Sequence, residues 1–294
     1  MTRRRPFAAL IAGALAIAFS PILVRLSPLE PTATAFYRMA LALPLFALWG
    51  LVERQSAPKA TDPRATLSPR RRVLLLLVSG MFFAADLVSW HWSIRYTSVT
   101  NATFLANLAP IVVTVAAWLI FRERITTTFL SGMALSLVGA ALLVRASLSF
   151  GGSHPLGDAL GVLTAFFYAG YLLTAKGLRR TMGTARLMGW SSLVTSVALL
   201  GVTLAAGESL APDSRRGWIV LLGLAWISQV LGQGLIVYGL AHLPASFSSV
   251  GLLIQPVAAA LLAWMLLGEA LGAWQLAGGA AVLVGILVAR RATL

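Results

Sequence analysis

The chain has 294 residues, 59% hydrophobic and only 11% charged, with a mean hydropathy of +0.85 and a formal net charge of +14. Soluble domains are roughly 45–50% apolar and about a quarter charged, so this composition excludes an ordinary soluble fold and describes a protein built almost wholly within a bilayer. The absence of cysteine excludes disulfides, thiolate chemistry and Cys-containing metal sites, and the cations sit at the ends of apolar runs, which sets nucleic-acid binding aside.

A helical span needs about 20 mostly apolar residues. Ten runs meet this requirement, at 7–26, 33–52, 73–95, 99–121, 127–145, 156–176, 185–206, 217–240, 246–267 and 272–289. Met1 to Arg5 followed by an apolar run has the form of a signal peptide. The run is long enough to span and lacks a small-x-small cleavage site before Arg25, so it is read as a retained first helix. The runs do not alternate as barrel strands would, so the fold class is an all-α integral membrane protein with ten transmembrane helices. The connection from Glu53 to Arg72 is rich in Pro, Ser, Lys and Arg and is expected to be a loop.

Charge then orients the spans. With the N-terminus placed in the cytoplasm, 17 Lys and Arg fall inside. Five fall outside (Arg25, Arg95, Arg145, Arg215 and Arg216), and Arg38 lies within span 2. This positive-inside bias predicts cytoplasmic termini and an inner-membrane location.

A segment of the chain recurs at a constant offset of 146 positions. Pro110, Trp118, Glu123, Gly132 and Gly139 match Pro256, Trp264, Glu269, Gly278 and Gly285. Two halves are therefore expected, 1–146 with spans 1–5 and 147–294 with spans 6–10. Five spans is an odd number, so the second half enters the membrane upside down, giving two inverted five-helix repeats. The loop Arg122-Glu123-Arg124, expected inside, becomes Gly268-Glu269-Ala270 outside: the glutamate is kept and both arginines are gone. Inverted repeats of this kind build many transporters, with the site between the halves.

Pro–(x7)–Trp–(x4)–Glu followed by a Gly-rich helix, present in both halves, resembles the drug/metabolite transporter superfamily and, within it, the EamA type. Phe36-Tyr37-Arg38 resembles that family's arginine-bearing second helix, whereas Ser20-Pro21 stands where the second half has Tyr171-Leu172. The resemblance implies export by alternating access through a central cavity lined mainly by spans 1, 3, 4, 6, 8 and 9, and it leaves the substrate open.

Candidate site residues follow from the cost of polar groups in a bilayer. Asp86 is a carboxylate deep in span 3, a candidate for proton coupling or for holding a substrate ammonium. The alternative is a structural pair with His91 or Arg38. His91 lies about 140° round an ideal helix from Asp86, so it shares no face with it, and pairs by spacing with Arg95. Trp90, Asn107, Tyr168, Tyr171, Gln229, Gln233, Tyr238 and Gln255 are further cavity candidates, with Gln229 and Gln233 one turn apart. Pro110 and Pro256 remove a backbone donor in mid-span and are read as hinges or kinks. Glu123 and Glu269 are read as caps or interhelical ties, Trp118 and Trp264 as belt or packing residues, and the glycines of spans 5 and 10 as close-packing positions. His154 and Asp158 are read as a loop residue and a helix cap.

No motif of a hydrolase, zinc protease or nucleotide-binding loop is present in the sequence, and no cofactor or metal is expected. A nucleotide-sugar carrier would line its cavity with several cations, where only Arg38 and Lys176 are on offer. A drug carrier is the other transporter alternative. A lipid-modifying membrane enzyme would need converging acid, base or metal ligands. A non-transporting assembly or sensor protein would leave the duplicated halves unexplained. The reading is a secondary active or facilitative exporter of small metabolites, aromatic or neutral amino acids first. Its partners are the small-molecule substrate and the lipid bilayer, with monomer and homodimer both open.

Overall fold

The computed structural model describes residues 4–56, 67–97, 99–145, 155–267 and 272–293. Glu269 and His154 lie outside them. The described residues form helices and connecting turns, and ten helical stretches are long and apolar enough to cross a membrane. They are span 1 (Arg4–Arg25), span 2 (Pro31–Glu53), span 3 (Pro69–Tyr96), span 4 (Asn101–Phe121) and span 5 (Thr127–Val144). Span 6 (Pro155–Leu178), span 7 (Thr184–Ala205), span 8 (Arg215–Leu240), span 9 (Ala245–Leu262) and span 10 (Ala273–Thr293) complete the set. Each matches one apolar run of the sequence, because length and hydropathy alone decide what spans a bilayer. Large apolar side chains stand exposed around the bundle, Trp118, Trp264 and Trp274 each more than half. Water would penalise such a surface and a bilayer accepts it.

Four spans are interrupted, two more than the prolines of spans 4 and 9 alone suggested. Span 1 breaks between Arg4–Ile17 and Ser20–Arg25, and span 2 between Pro31–Ala40 and Leu43–Ser56. Span 4 breaks between Val99–Ala106 and Ala109–Phe121, and span 9 between Ala245–Gly251 and Ile254–Leu267. A proline opens the second piece each time: Pro21, Pro44, Pro110 and Pro256. Its fixed φ suits the first turn of a helix and its missing N–H ends the turn before. Span 8 departs in another way, with a π-helix over Leu224–Gln233. Such wide turns are rare and gather at functional sites.

Spans 5 and 10 pack along their whole length, and glycine is the reason. A Cβ on Gly139 would lie 2.7 Å from the Gly278 carbonyl oxygen, and one on Gly132 would lie 2.7 Å from that of Gly285. The reverse approaches, Gly278 to Gly139 and Gly285 to Gly132, are 2.6 Å. The two helices therefore run antiparallel with their backbones in contact, the close approach that small residues permit. Ser136 Oγ donates to the Val282 carbonyl at 3.3 Å between them.

Carboxylates tie two further pairs end to end, span 2 with span 7 and span 4 with span 9. Glu53, at the end of span 2, accepts from the Thr184 and Ala185 amides that open span 7, at 2.6 and 2.9 Å. Glu208, just past span 7, accepts from the Ala33 amide that opens span 2, at 2.7 Å. Each of these two spans thus ends in the cap of the other. Glu123, at the end of span 4, accepts from the Ala245 and Ser246 amides that open span 9, at 2.7 and 3.1 Å, and from Ser246 Oγ at 2.6 Å. A helix N-terminus presents unpaired N–H groups and a positive dipole end, and a carboxylate answers both.

Candidate substrate cavity

Three of the four helix breaks, those of spans 1, 4 and 9, converge on one cavity. It has a volume of about 900 Å³ including its open mouth and is lined by spans 1, 2, 3, 4, 6, 8 and 9. The six spans that the resemblance implied all contribute, and Arg38 of span 2 joins them. Pro21, Pro110 and Pro256 all line the cavity. Each lacks the amide that would bond the carbonyl four residues earlier, on Ile17, Ala106 and Leu252, and these three residues line the cavity too. The Leu252 carbonyl accepts instead from the Gln255 amide at 2.9 Å. Non-helical backbone at membrane depth survives only where it is buried in protein or faces a polar cavity.

The wall is largely apolar, with Phe83, Leu87, Trp90, Leu172 and Leu252, and carries a few polar groups. Tyr168 donates its hydroxyl to Gln233 Oε1 at 3.4 Å, joining span 6 to span 8. Asn107 sits in the break of span 4 with its amide donating to the Thr103 carbonyl at 2.9 Å. Thr103 Oγ1 is buried without a hydrogen-bond partner among the described residues and also lines the cavity. Two charges complete the wall, Asp86 at 7% exposure and Arg38 at 5%. No ion pair within 4.0 Å joins them.

Of the candidate residues, Asp86, Trp90, Asn107, Tyr168, Gln233, Gln255, Pro110 and Pro256 share this cavity. Four do not line it. His91 follows Trp90, so it turns about 100° away; it is 1% exposed and its Nδ1 donates to the Leu87 carbonyl at 2.7 Å. Tyr171 is fully buried behind the wall, stacked on Phe83 at 4.3 Å and on Tyr168 at 6.1 Å, with its hydroxyl 3.4 Å from Met188 Sδ. Gln229 is also fully buried and is held by Arg38, whose Nε donates to its Oε1 at 3.2 Å. Tyr238 lies beyond the π-helix, its ring 5.0 Å from that of His242.

Arg38 is the residue that sequence reasoning left off the wall. Its position in span 2 was outside the set of lining spans, and its charge was weighed only as a partner for Asp86 or, with Lys176, as a cation for a nucleotide-sugar carrier. The usable signal was present: an arginine deep in an apolar run faces a polar interior or a cavity. Lys176, the other cation considered, is spent elsewhere. Its Nζ donates to the Leu243 carbonyl at 2.6 Å and to that of Leu240 at 3.4 Å, and stands 3.8 Å from Glu123. Glu123 is thus an interhelical cap, as its place at a helix end suggested. Asp158 lies in the first turn of span 6. Among the described residues no group of three or more His, Asp or Glu is arranged to hold a metal.

A cavity at the centre of a ten-span bundle, bordered by broken helices, is the architecture of a membrane transporter. The chain belongs to the EamA-like transporter family, whose model matches residues 6–145 and 155–291. It is similar to the Pseudopaline exporter CntI of Pseudomonas aeruginosa, 26% identical over 222 residues that cover 76% of each chain. It is also similar to a probable terminal-alkyne amino-acid exporter of Streptantibioticus cattleyicolor, 27% identical over 241 residues covering 80% of this chain and 79% of that one. A solved crystal structure shares the fold with a TM-score of 0.82 at 14% identity, covering 99% of this chain and 98% of the other.

Proposed function

We propose that this transporter exports amino acids or closely similar small metabolites, with large neutral and aromatic side chains favoured. The observation that carries the proposal is the cavity wall: an aromatic and aliphatic surface with a few fixed amides, hydroxyls and single charges. That pattern suits a small amphipathic solute, since apolar contact supplies affinity and a few polar groups supply orientation. The names of two relatives, one an exporter of pseudopaline and one of a terminal-alkyne amino acid, point the same way.

Transport in this reading is alternating access between inverted halves, 1–146 and 147–294, with both termini in the cytoplasm of an inner-membrane protein. The reciprocal caps of spans 2 and 7 and the crossed glycine contacts of spans 5 and 10 support a two-fold relation between the halves. The breaks at Pro21, Pro110 and Pro256 supply places where spans bend as the cavity changes sides. The Glu123 cap and Lys176 sit at the end where Phe121, Leu178 and Ala245 meet, which charge counting places inside. Proton antiport through Asp86 is a subordinate part of the reading. Unchanged, pH-independent export by Asp86→Asn in proteoliposomes removes that part.

The test is counterflow of labelled Phe, Met and Thr into proteoliposomes holding the purified protein. Saturable exchange of at least one is expected. Exchange of none of them overturns the proposal.

A further inference from the structure

Asp86 makes no hydrogen bond and no ion pair within 4.0 Å among the described residues, although it is 7% exposed and lines the cavity. Burying a carboxylate without a partner is costly. Arg38, at 5% exposure, is oriented by two bonds, Nη1 to Ser20 Oγ at 3.1 Å and Nε to Gln229 Oε1 at 3.2 Å. Both partners are neutral, and Nη2 has no hydrogen bond among the described residues. Gln229 comes from the π-helix of span 8 and Ser20 from the break of span 1. Two irregular segments therefore position the guanidinium without neutralising it.

The cavity wall carries a basic and an acidic side chain, the first held in place by neutral partners, and no ion pair within 4.0 Å joins them. From this geometry we infer that Arg38 and Asp86 form a two-point site for a zwitterion, Arg38 taking a carboxylate and Asp86 an ammonium of the same molecule. The inference rests on the amino-acid reading above and adds the two groups that recognise the backbone of such a substrate. A zwitterion answers both buried charges at once. An anion leaves Asp86 without a counter-charge, a cation leaves Arg38 without one, and a doubly charged phosphate ester meets a single wall cation. Phe83, Trp90, Tyr168 and Leu172 lie along the same wall and face the side chain. Gln229 acts as a positioning residue, through Arg38.

The site makes charge, more than side-chain shape, the condition for binding. A pocket built around a polar partner rejects analogues that lack it, because its own group is then left unpaired. The probes are Phe, phenethylamine, which lacks the carboxylate, and 3-phenylpropionate, which lacks the ammonium. Each competes against labelled Phe counterflow in proteoliposomes of the wild-type protein. Phe is expected to compete at least about tenfold better than either analogue, the factor that about 1.4 kcal/mol supplies. Arg38→Gln is expected to narrow the gap between Phe and phenethylamine, and Asp86→Asn the gap between Phe and 3-phenylpropionate. Wild-type protein that exchanges Phe but accepts an analogue equally well overturns the two-point site and leaves the amino-acid reading standing. Protein that exchanges no amino acid overturns both. The wild-type comparison decides the matter even if a variant fails to fold.

Discussion

Replacing Glu123 by Ala removes the cap of span 9 and its tie to span 4. The carboxylate accepts three hydrogen bonds, from the Ala245 and Ser246 amides and from Ser246 Oγ. Its side chain is 12% exposed, so water replaces little of what is lost. A lost N-cap costs about 0.5–2 kcal/mol, and a hydrogen bond to a charged group contributes roughly 1.5–3 kcal/mol. The three bonds share one carboxylate and do not add fully, so the expected loss is about 3 kcal/mol. The Lys176 ion pair at 3.8 Å adds little to this, because Lys176 keeps its bonds to the Leu243 and Leu240 carbonyls. Glu123→Gln retains one acceptor and should lose about half as much. The internal control is Glu30→Ala. Glu30 pairs with Arg95 at 3.6 Å across side chains that are 56% and 52% exposed, and its loss should cost less than about 1 kcal/mol. Unfolding of the purified variants in one detergent orders the three. A Glu123→Ala protein no less stable than Glu30→Ala refutes the cap as a tie between spans.

Gly139→Val places a side chain against the Gly278 carbonyl and the Val282 amide, where even a Cβ would lie 2.7 Å away. It should lower stability by about 1–3 kcal/mol. Gly201→Ala, at a position with nothing within 4 Å, should be neutral or gain up to about 1 kcal/mol; melting of the two variants separates packing from helix propensity. Pro110→Ala and Pro256→Ala restore amides able to reach the Ala106 and Leu252 carbonyls. These variants should melt no lower than wild type yet exchange Phe more slowly, and unchanged counterflow rates argue against a hinge at the breaks.

Most of the frame was legible because a bilayer makes few demands and makes them strictly. Ten apolar runs gave ten spans, since length and hydropathy decide the matter without knowledge of packing. The glycine offsets of spans 5 and 10 were legible as close contacts for a related reason: only a residue without a side chain allows backbones to meet. The breaks in spans 1 and 2 were less visible. Pro21 lies nearer the end of its run, where proline is also tolerated without a break, and Pro44 lies near mid-run but has no matching proline 146 positions on. The π-helix over Leu224–Gln233 had no sequence signal. The cavity was half legible. Polarity at depth marked Asp86, Asn107, Gln233 and Gln255, which line it, but marked His91 and Gln229 equally, which do not. Which face of a helix looks inward is settled by its neighbours, and those contacts join residues as distant as Arg38 and Gln229.

The central claim is that the cavity at the helix breaks is the path of the substrate. The chain has no cysteine of its own, so Ala106→Cys places a single thiol on the wall, beside the break of span 4. Labelled Phe counterflow by this variant is measured before and after reaction with a bulky maleimide, with and without excess Phe during the reaction. The account predicts that modification abolishes counterflow and that excess Phe slows the modification. Complete modification with counterflow intact contradicts it.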